Sequence, residues 1–183
     1  MNREDALDLL EQNVKNKNLI KHCLAVESIM KYLAEYLNED KEKWSLAGLL
    51  HDIDIEKCKE DYSDHGLIAE NILKDKVDND IINAIKSHNF EKTGFEPKNK
   101  IDFALIAADA ISGLIIATAL MQPNKKLSDV KVESIVKKFK KKDFARNCSR
   151  EKMLYCEKLG IDKNKFFEIA LKAEQSISNK LGL

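Results

Sequence analysis

The chain has four histidines, His22, His51, His65 and His88. His22 is in register with Val26 and Ile29, His51 with Trp44 and Ala47, His65 with Ile68 and Ile72, and His88 with Ile81 and Ile85. Spacings of three and four place all four on the inward faces of helices. One such histidine is ordinarily a satisfied core residue, but four of four pointing inward suggest a cluster. Asp109 lies inside the most apolar stretch, where an unpartnered carboxylate is too costly to persist. Neutral imidazole and carboxylate together suit first-row metals such as iron, manganese or zinc. A cation would also supply the partner that Asp109 requires. His51-Asp52 closes the segment LAGLLHDID. Neighbours on a helix diverge by about 100°, so this pair can face one metal only where the helix ends and the backbone turns.

Those side chains need helices to hold them, and the apolar spacing is helical nearly throughout. A first helix carries Ala6, Leu7, Leu9, Leu10 and Val14, and a long second runs from Leu19 to Leu37. A third ends near His51. A fourth runs from His65 to Leu73 with Asp64 as its N-cap, and a fifth ends at His88. A core helix around Asp109 follows Pro97 and stops before Pro123. Ser128 caps a helix from Val130 to Phe139, another covers 151–159 before Gly160, and the last starts near Asp162. The expected fold is all-α: one domain over 1–183, with a metal-binding core at 19–120 and a helical extension at 125–183 packed on it.

Composition agrees. In 183 residues, 44% apolar content supports a sizeable core, and six glycines with two prolines are too few for the turns of an all-β sandwich. Thirty-one basic and 31 acidic residues cancel, which excludes a polycation of histone type and gives no specific nucleic-acid signal. The four cysteines form no Cys-x-x-Cys pair, so no zinc knuckle or thioredoxin-type motif is present. No secretory signal is visible at the start, and a reducing, cytoplasmic setting is expected. Residues 103–121 hold Asp109 as their single charge and approach the length of a bilayer span. A central aspartate costs a spanning helix roughly 2.5–3.5 kcal/mol, so a buried core helix is expected and no membrane contact. Neither a Gly-x-Ser-x-Gly elbow nor a facing Cys-His pair offers another nucleophile, since Cys23 and His22 are helix neighbours that diverge.

The order His22, His51-Asp52, His65, His88, Asp109 resembles the HD-domain metal phosphohydrolases, named for the His-Asp dyad, and GLLHDID resembles their signature segment. HGLIAENIL, IINAIKSHN and IAADAISGL are similar to segments of the HD-class symmetrical dinucleoside-tetraphosphate hydrolases. The chain is also similar to a group of predicted HD hydrolases defined by fold rather than substrate. Asn89 stands where the cyclic-di-GMP phosphodiesterase branch has a second histidine, which disfavours that branch. The Pro-Gly-Arg-like ending common in the dinucleotide hydrolases does not follow Asp109. The resemblance implies a helical HD bundle with two divalent ions, iron or manganese, with nickel, cobalt, magnesium or zinc as further options. His22, His51, Asp52 and Asp109 would hold one ion, and His65 and His88 the other, with Asp52 bridging. Asp52 and His51 would be the catalytic dyad, acting through a hydroxide between the ions on a phosphoester or phosphoanhydride of a nucleotide or other small phosphorylated metabolite. An HD-fold di-iron oxygenase and a metal-binding regulatory module without catalysis stay open as alternatives.

Two further sets of charges bear on that reading. Residues 125–152 carry 11 basic and four acidic side chains, whereas 1–124 carry 15 and 23. Lys138, Lys141, Arg146 and Arg150 are expected to bind substrate phosphate, with a solvated helix end as the plain alternative. Asp54 and Glu56 read as solvated loop acids, with orientation of the metal ligands as the alternative.

Overall fold

A computed structural model describes all 183 residues, and no strand occurs. Helix α1 spans Arg3–Asn13, α2 Lys17–Leu37, α3 Lys41–Leu50, α4 Leu67–Leu73, α5 Asn79–His88 and α6 Phe90–Thr93. Then come α7, Lys100–Leu120, α8, Val132–Phe139, α9, Arg150–Met153, α10, Lys163–Ser176, and α11, Ser178–Leu181. The fold is all-α, as the spacing implies.

Helix α7 is the axle. Its 21 residues include 14 buried ones distributed all round, so no face is left polar, and α2, α5, α8, α9 and α10 pack about it. The helix is long and apolar enough to cross a membrane, yet most of it is enclosed by its own chain. It begins where the Asp102 carboxylate accepts the N–H groups of Lys98 and Asn99, both at 2.9 Å. One apolar cluster of 44 buried residues runs from Ala6 to Leu181 and includes side chains from both 19–120 and 125–183.

The contact of α2 with α3 is close because of Gly48. A Cβ there would stand 2.8 Å from the Val26 carbonyl oxygen and 2.9 Å from the Glu27 Cα. The absence of that atom lets α3 lie against the α2 backbone, and these two helices carry His22 and lead into His51.

Three local expectations change. Asp64 does not cap α4: its carboxylate accepts the Lys59 N–H at 3.0 Å, and the helix starts at Leu67 after Gly66 at φ +92°. Ser128 does not cap α8, because 127–129 form a 3-10 turn and Val132 opens the helix behind Lys131. The segment 151–159 is not one α-helix. Ser149 caps the short α9, and residues 154–159 tighten to 3-10 before Gly160 at φ +73°. Asp162 does cap α10, accepting from the N–H groups of Asn164 and Lys165.

Candidate metal centre

His22 projects from α2, His51 and Asp52 from the turn that ends α3, His88 from the last position of α5 and Asp109 from the middle of α7. His65 arrives differently, from the turn ahead of α4. The six side chains converge. His22 Nε2 lies 3.0 Å from Asp109 Oδ1 and 3.2 Å from His51 Nε2. His65 Nε2 lies 2.9 Å from His88 Nε2 and 3.2 Å from Asp52 Oδ1. Asp52 stands between the two pairs, with Oδ1 3.4 Å from His51 and 3.9 Å from His88, and Oδ2 3.8 Å from His22.

The outer nitrogens decide the tautomers. His51 Nδ1 faces the Gly48 carbonyl at 2.9 Å and His88 Nδ1 the Ile85 carbonyl at 2.5 Å. A carbonyl only accepts, so both Nδ1 atoms carry the proton and both Nε2 lone pairs point into the cluster. His65 Nδ1 donates to Asp54 Oδ1 at 2.7 Å, which aims its Nε2 the same way. His65 Nε2 and His88 Nε2 meet at 2.9 Å, so a positive charge must stand between them: a proton on His65 in the metal-free protein, or a metal ion in its place. Ligands at 2.0–2.1 Å from a common first-row ion sit roughly 2.8–3.4 Å apart in octahedral or tetrahedral geometry. Five of the donor spacings, from 2.9 to 3.4 Å, fall in that range, and the two from Asp52 to His22 and His88, at 3.8 and 3.9 Å, lie beyond it. The donors form two groups, His22-His51-Asp52 and Asp52-His65-His88, which share Asp52.

Charge distribution agrees with a cation site. Burial opposes ionisation of Asp52, but His51, His65 and His22 hold its carboxyl well below the usual range. Asp109 is held low in the same way, with burial overcome by His22 and His51. Burial works against the His22 imidazolium, yet Asp109 and Asp52 raise its pKa to about 9. His65 is raised to about 10 by Asp52 and Asp54 against the same burial. Burial and the neighbouring His65 and His51 push His88 down to about 3. A divalent ion would take the place of the protons on His22 and His65.

Asp54 overturns its reading as a solvated acid. Fully buried, it gives one oxygen to His65 and accepts the Gly66 and Ala69 N–H groups on the other, both at 2.8 Å. It caps α4 from outside the helix and thereby fixes His65. Glu56 lies in a 3-10 turn, Ile55–Lys57, where it accepts the N–H groups of Lys15 and Asn16 at 2.8 Å and ties this turn to the start of α2. Cys58 donates to the Asp54 carbonyl, and burial pushes its thiol up to about 12, so it is no nucleophile at neutral pH.

A cavity of about 420 Å³ opens over Asp52, His65, His88 and Asp109. Its mouth includes Tyr62, Asn89, Lys92, Asn147 and Lys152. Lys152 pairs with Glu91 at 3.0 Å and also donates to the His88 carbonyl. Lys92 is exposed and makes no ion pair. Asn89 donates to the carbonyls of Tyr62 and His65. Tyr62, Lys92 and Asn147 carried no sign in the sequence, because nothing in their spacing marks a cavity mouth.

The expected phosphate-binding residues do not gather there. Arg150 is committed elsewhere: its guanidinium donates to the carbonyls of Lys138, Phe139, Lys141, Phe144, Ala145 and Cys148. With its donors taken up by the main chain, it organises the loop and has no fork to offer a phosphate. Arg146 is exposed beside Asn147 and outside the cavity wall. Lys138 and Lys141 line a different cavity, at the far end of α7.

Comparison with known proteins agrees with this arrangement. The family described as HD domain matches residues 19–114. The chain is similar to Ribonuclease Y of Nitratidesulfovibrio vulgaris (strain DP4), 35% identical over 99 residues, which are 54% of this chain and 18% of that protein. It is 36% identical over 97 residues to Ribonuclease Y of Staphylococcus epidermidis (strain ATCC 35984), covering 52% of this chain and 18% of the relative. Ribonuclease Y of Lawsonia intracellularis is 33% identical over 98 residues, with shares of 53% and 18%. The chain thus spans less than a fifth of the length of these curated relatives. No solved structure matches.

Proposed function

Since the chain belongs to the HD-domain family, we propose that it is a metal-dependent phosphohydrolase, and that His22, His51, Asp52 and Asp109 hold one divalent ion while His65 and His88 hold a second with Asp52 shared. The observation that carries this reading is the convergence of four imidazoles on Asp52 and Asp109, with His65 and His88 aimed at each other by Asp54 and the Ile85 carbonyl. A pair of divalent ions in such a set lowers the pKa of a water and clamps the oxygens of an in-line displacement at phosphorus.

The chain's own groups supply the rest. Asp54 and the carbonyls of Gly48 and Ile85 hold the three buried imidazoles in one tautomer, so the donor set needs no rearrangement during turnover. Asn89 anchors the backbone at Tyr62 and His65, which steadies the cavity wall. Lys92 and the Asn147 amide at the mouth offer donors to non-bridging phosphate oxygens. Substrate enters through this cavity, over Asp52, His65, His88 and Asp109, and not from the side of His22, which borders another cavity.

The substrate class we favour is a phosphoester or phosphoanhydride of a nucleotide. A second reading, a phosphodiester in a ribonucleic acid, draws on the similarity to Ribonuclease Y. The test is metal analysis of protein purified without chelator, followed by a panel of nucleotides, dinucleoside polyphosphates and oligoribonucleotides in manganese, iron and nickel. About two ions per chain and hydrolysis of one of these classes are expected. Metal-loaded protein that cleaves nothing in the panel would turn the reading to a regulatory module. Substrate loss only under oxygen would turn it to an oxygenase.

A further inference from the structure

Three aromatic side chains stand well exposed, Tyr36 at 52%, Tyr62 at 50% and Phe95 at 42%. Two of the rings are occupied. The Lys165 ammonium lies 5.7 Å from the centre of the Tyr36 ring, and the Lys86 ammonium 3.7 Å from that of Phe95. Tyr62 has no cation over its ring, meets no other aromatic side chain and is not packed on the apolar core. It is also the one of the three at the mouth of the cavity over Asp52, His65, His88 and Asp109.

Its backbone is costly as well. Tyr62 has φ +54°, in the left-handed region that a bulky side chain rarely enters. Neighbouring groups hold it there. The Tyr62 N–H donates to the Lys59 carbonyl at 2.9 Å, and the Tyr62 carbonyl accepts the Asn89 amide at 3.0 Å and the His65 N–H at 3.3 Å. An exposed ring on a strained backbone adds nothing to packing, and strain of this kind collects at ligand-binding positions. The bond from His65 closes a four-residue turn, which keeps the Cα atoms of Tyr62 and His65 within about 7 Å. The free ring and an imidazole of the metal centre therefore belong to one braced turn and line one cavity, so a single small molecule can touch both.

We infer that Tyr62 is the platform on which the base of a nucleotide stacks while its phosphate lies over the metal centre. The ring offers a π-face that any base can cover, so it selects a nucleoside without reading which one. The phosphate has partners in the same cavity, in the exposed, unpaired Lys92 and the Asn147 amide. A sugar phosphate gains nothing from an aromatic face, so this one side chain separates nucleotides from other phosphorylated metabolites. The inference rests on the hydrolase reading of the metal centre and assigns its substrate selectivity to a residue.

The test is isothermal titration calorimetry on manganese-loaded protein with AMP, UMP and ribose 5-phosphate, which carries the same sugar and phosphate as AMP without the base. Wild type should bind AMP about 5–150-fold more tightly than ribose 5-phosphate, the span of one base–aromatic stack. UMP should also bind more tightly than ribose 5-phosphate. Tyr62→Gly should lose that advantage while its affinity for ribose 5-phosphate stays within twofold. Its melting temperature should not fall, since glycine adopts φ +54° without strain. Tyr62→Phe should keep AMP binding within twofold, and Tyr36→Ala, which removes an exposed ring elsewhere, should change neither ligand. Equal affinity of wild type for AMP and ribose 5-phosphate, or AMP binding within twofold in Tyr62→Gly, would overturn the inference. A loss in Tyr62→Phe as large as in Tyr62→Gly would also overturn it, by making the hydroxyl the contact. Equal losses on both ligands together with a lower melting temperature would show a structural ring instead. Failure of the hydrolase reading is separate. Base-dependent binding through Tyr62 with no cleavage of the panel substrates would remove catalysis and leave the platform, whereas nucleotide cleavage at an unchanged KM in Tyr62→Gly would remove the platform and leave catalysis.

Discussion

The two halves of the metal centre differ in what stands behind their histidines. Behind His65 lies Asp54, buried, held below the usual carboxylate range, with every oxygen engaged. Within electrostatic reach of His22 lies Glu174, also fully buried, but neither of its oxygens nor the nearby Ser112 hydroxyl has a partner at hydrogen-bond geometry. Burial raises the Glu174 pKa to about 8, so it is protonated at neutral pH. Each half thus has a buried carboxyl of opposite character. The His65–His88 half is firmly backed and lines the cavity together with Asp52 and Asp109, whereas His22 is loosely backed and borders another cavity, beside Ser112 and Gly113. This teaches that the two sets of imidazoles differ in how firmly the surrounding chain holds them.

The largest effect that could break this comparison comes from the residue common to both halves. Asp52→Ala should release both ions and lower kcat/KM by at least about a thousandfold, checked by metal content and kinetics together. His65→Ala should remove only the second ion, leaving about one per chain. Equal and near-full metal in both variants would show that the halves are not linked through Asp52.

Asp54→Asn comes next. It leaves the volume unchanged but turns a three-way acceptor into a group with one acceptor and an opposed amide, and it frees the His65 tautomer. Metal affinity at the His65–His88 half should fall by about 10–100-fold while the other half is unchanged, measured by competition with a chelator. An equal loss at both halves would erase the distinction.

Gly48→Ala tests the shared scaffold. A methyl group 2.8 Å from the Val26 carbonyl forces α2 and α3 apart, at a cost of about 1–3 kcal/mol, and should weaken the His22–His51 pair first. Thermal denaturation with and without metal separates these effects.

The smallest effect concerns pH. Glu174 has a folded pKa above its unfolded value, so its neutral form adds stability that is fully present below about 4.5 and is lost as pH rises to about 8. Glu174→Gln should therefore raise the melting temperature at pH 8, by an energy on the order of a few kcal/mol or less, and flatten the profile between pH 4.5 and 8. In metal-free protein a further decline should remain above pH 6.5 as His22 and His65 lose their protons toward pH 9 and 10. An unchanged profile in the variant would mean that Glu174 is solvated in solution.

Much of this was legible in the residues. His22, His51 and His88 could be placed because helical periodicity fixes which way a side chain faces, and Asp109 because an isolated charge in an apolar helix must have a reason. His65 was recognised for the wrong reason, since it sits on a turn aimed by Asp54 rather than on a helical stripe. Asp54 itself was illegible: in the run His-Asp-Ile-Asp, two buried acids turn opposite ways, and only the tertiary path tells which one enters the cluster and which one stands behind His65. Arg150 and the lysines show the same limit. A run of basic residues reports charge, but whether a cation meets a carbonyl, an aromatic ring or open space depends on a loop that has no periodicity.

Helix α7 has a consequence for how the protein is made. Its apolar, all-round-buried surface leaves the ribosome before α8, α9 and α10, which cover it. At about 5–20 residues per second, the roughly 56 residues from Leu120 to Ser176 take about 3–11 s to follow. For that interval the nascent chain displays the segment with the character of a membrane anchor, and α2 and α5, already synthesised, can shield only part of it. The proposed metal ligands are all present at that stage, since the last of them is Asp109. Early ion capture would clamp α2, α5 and α7 together and shorten the time for which a chaperone or an insertion machinery could compete for the helix.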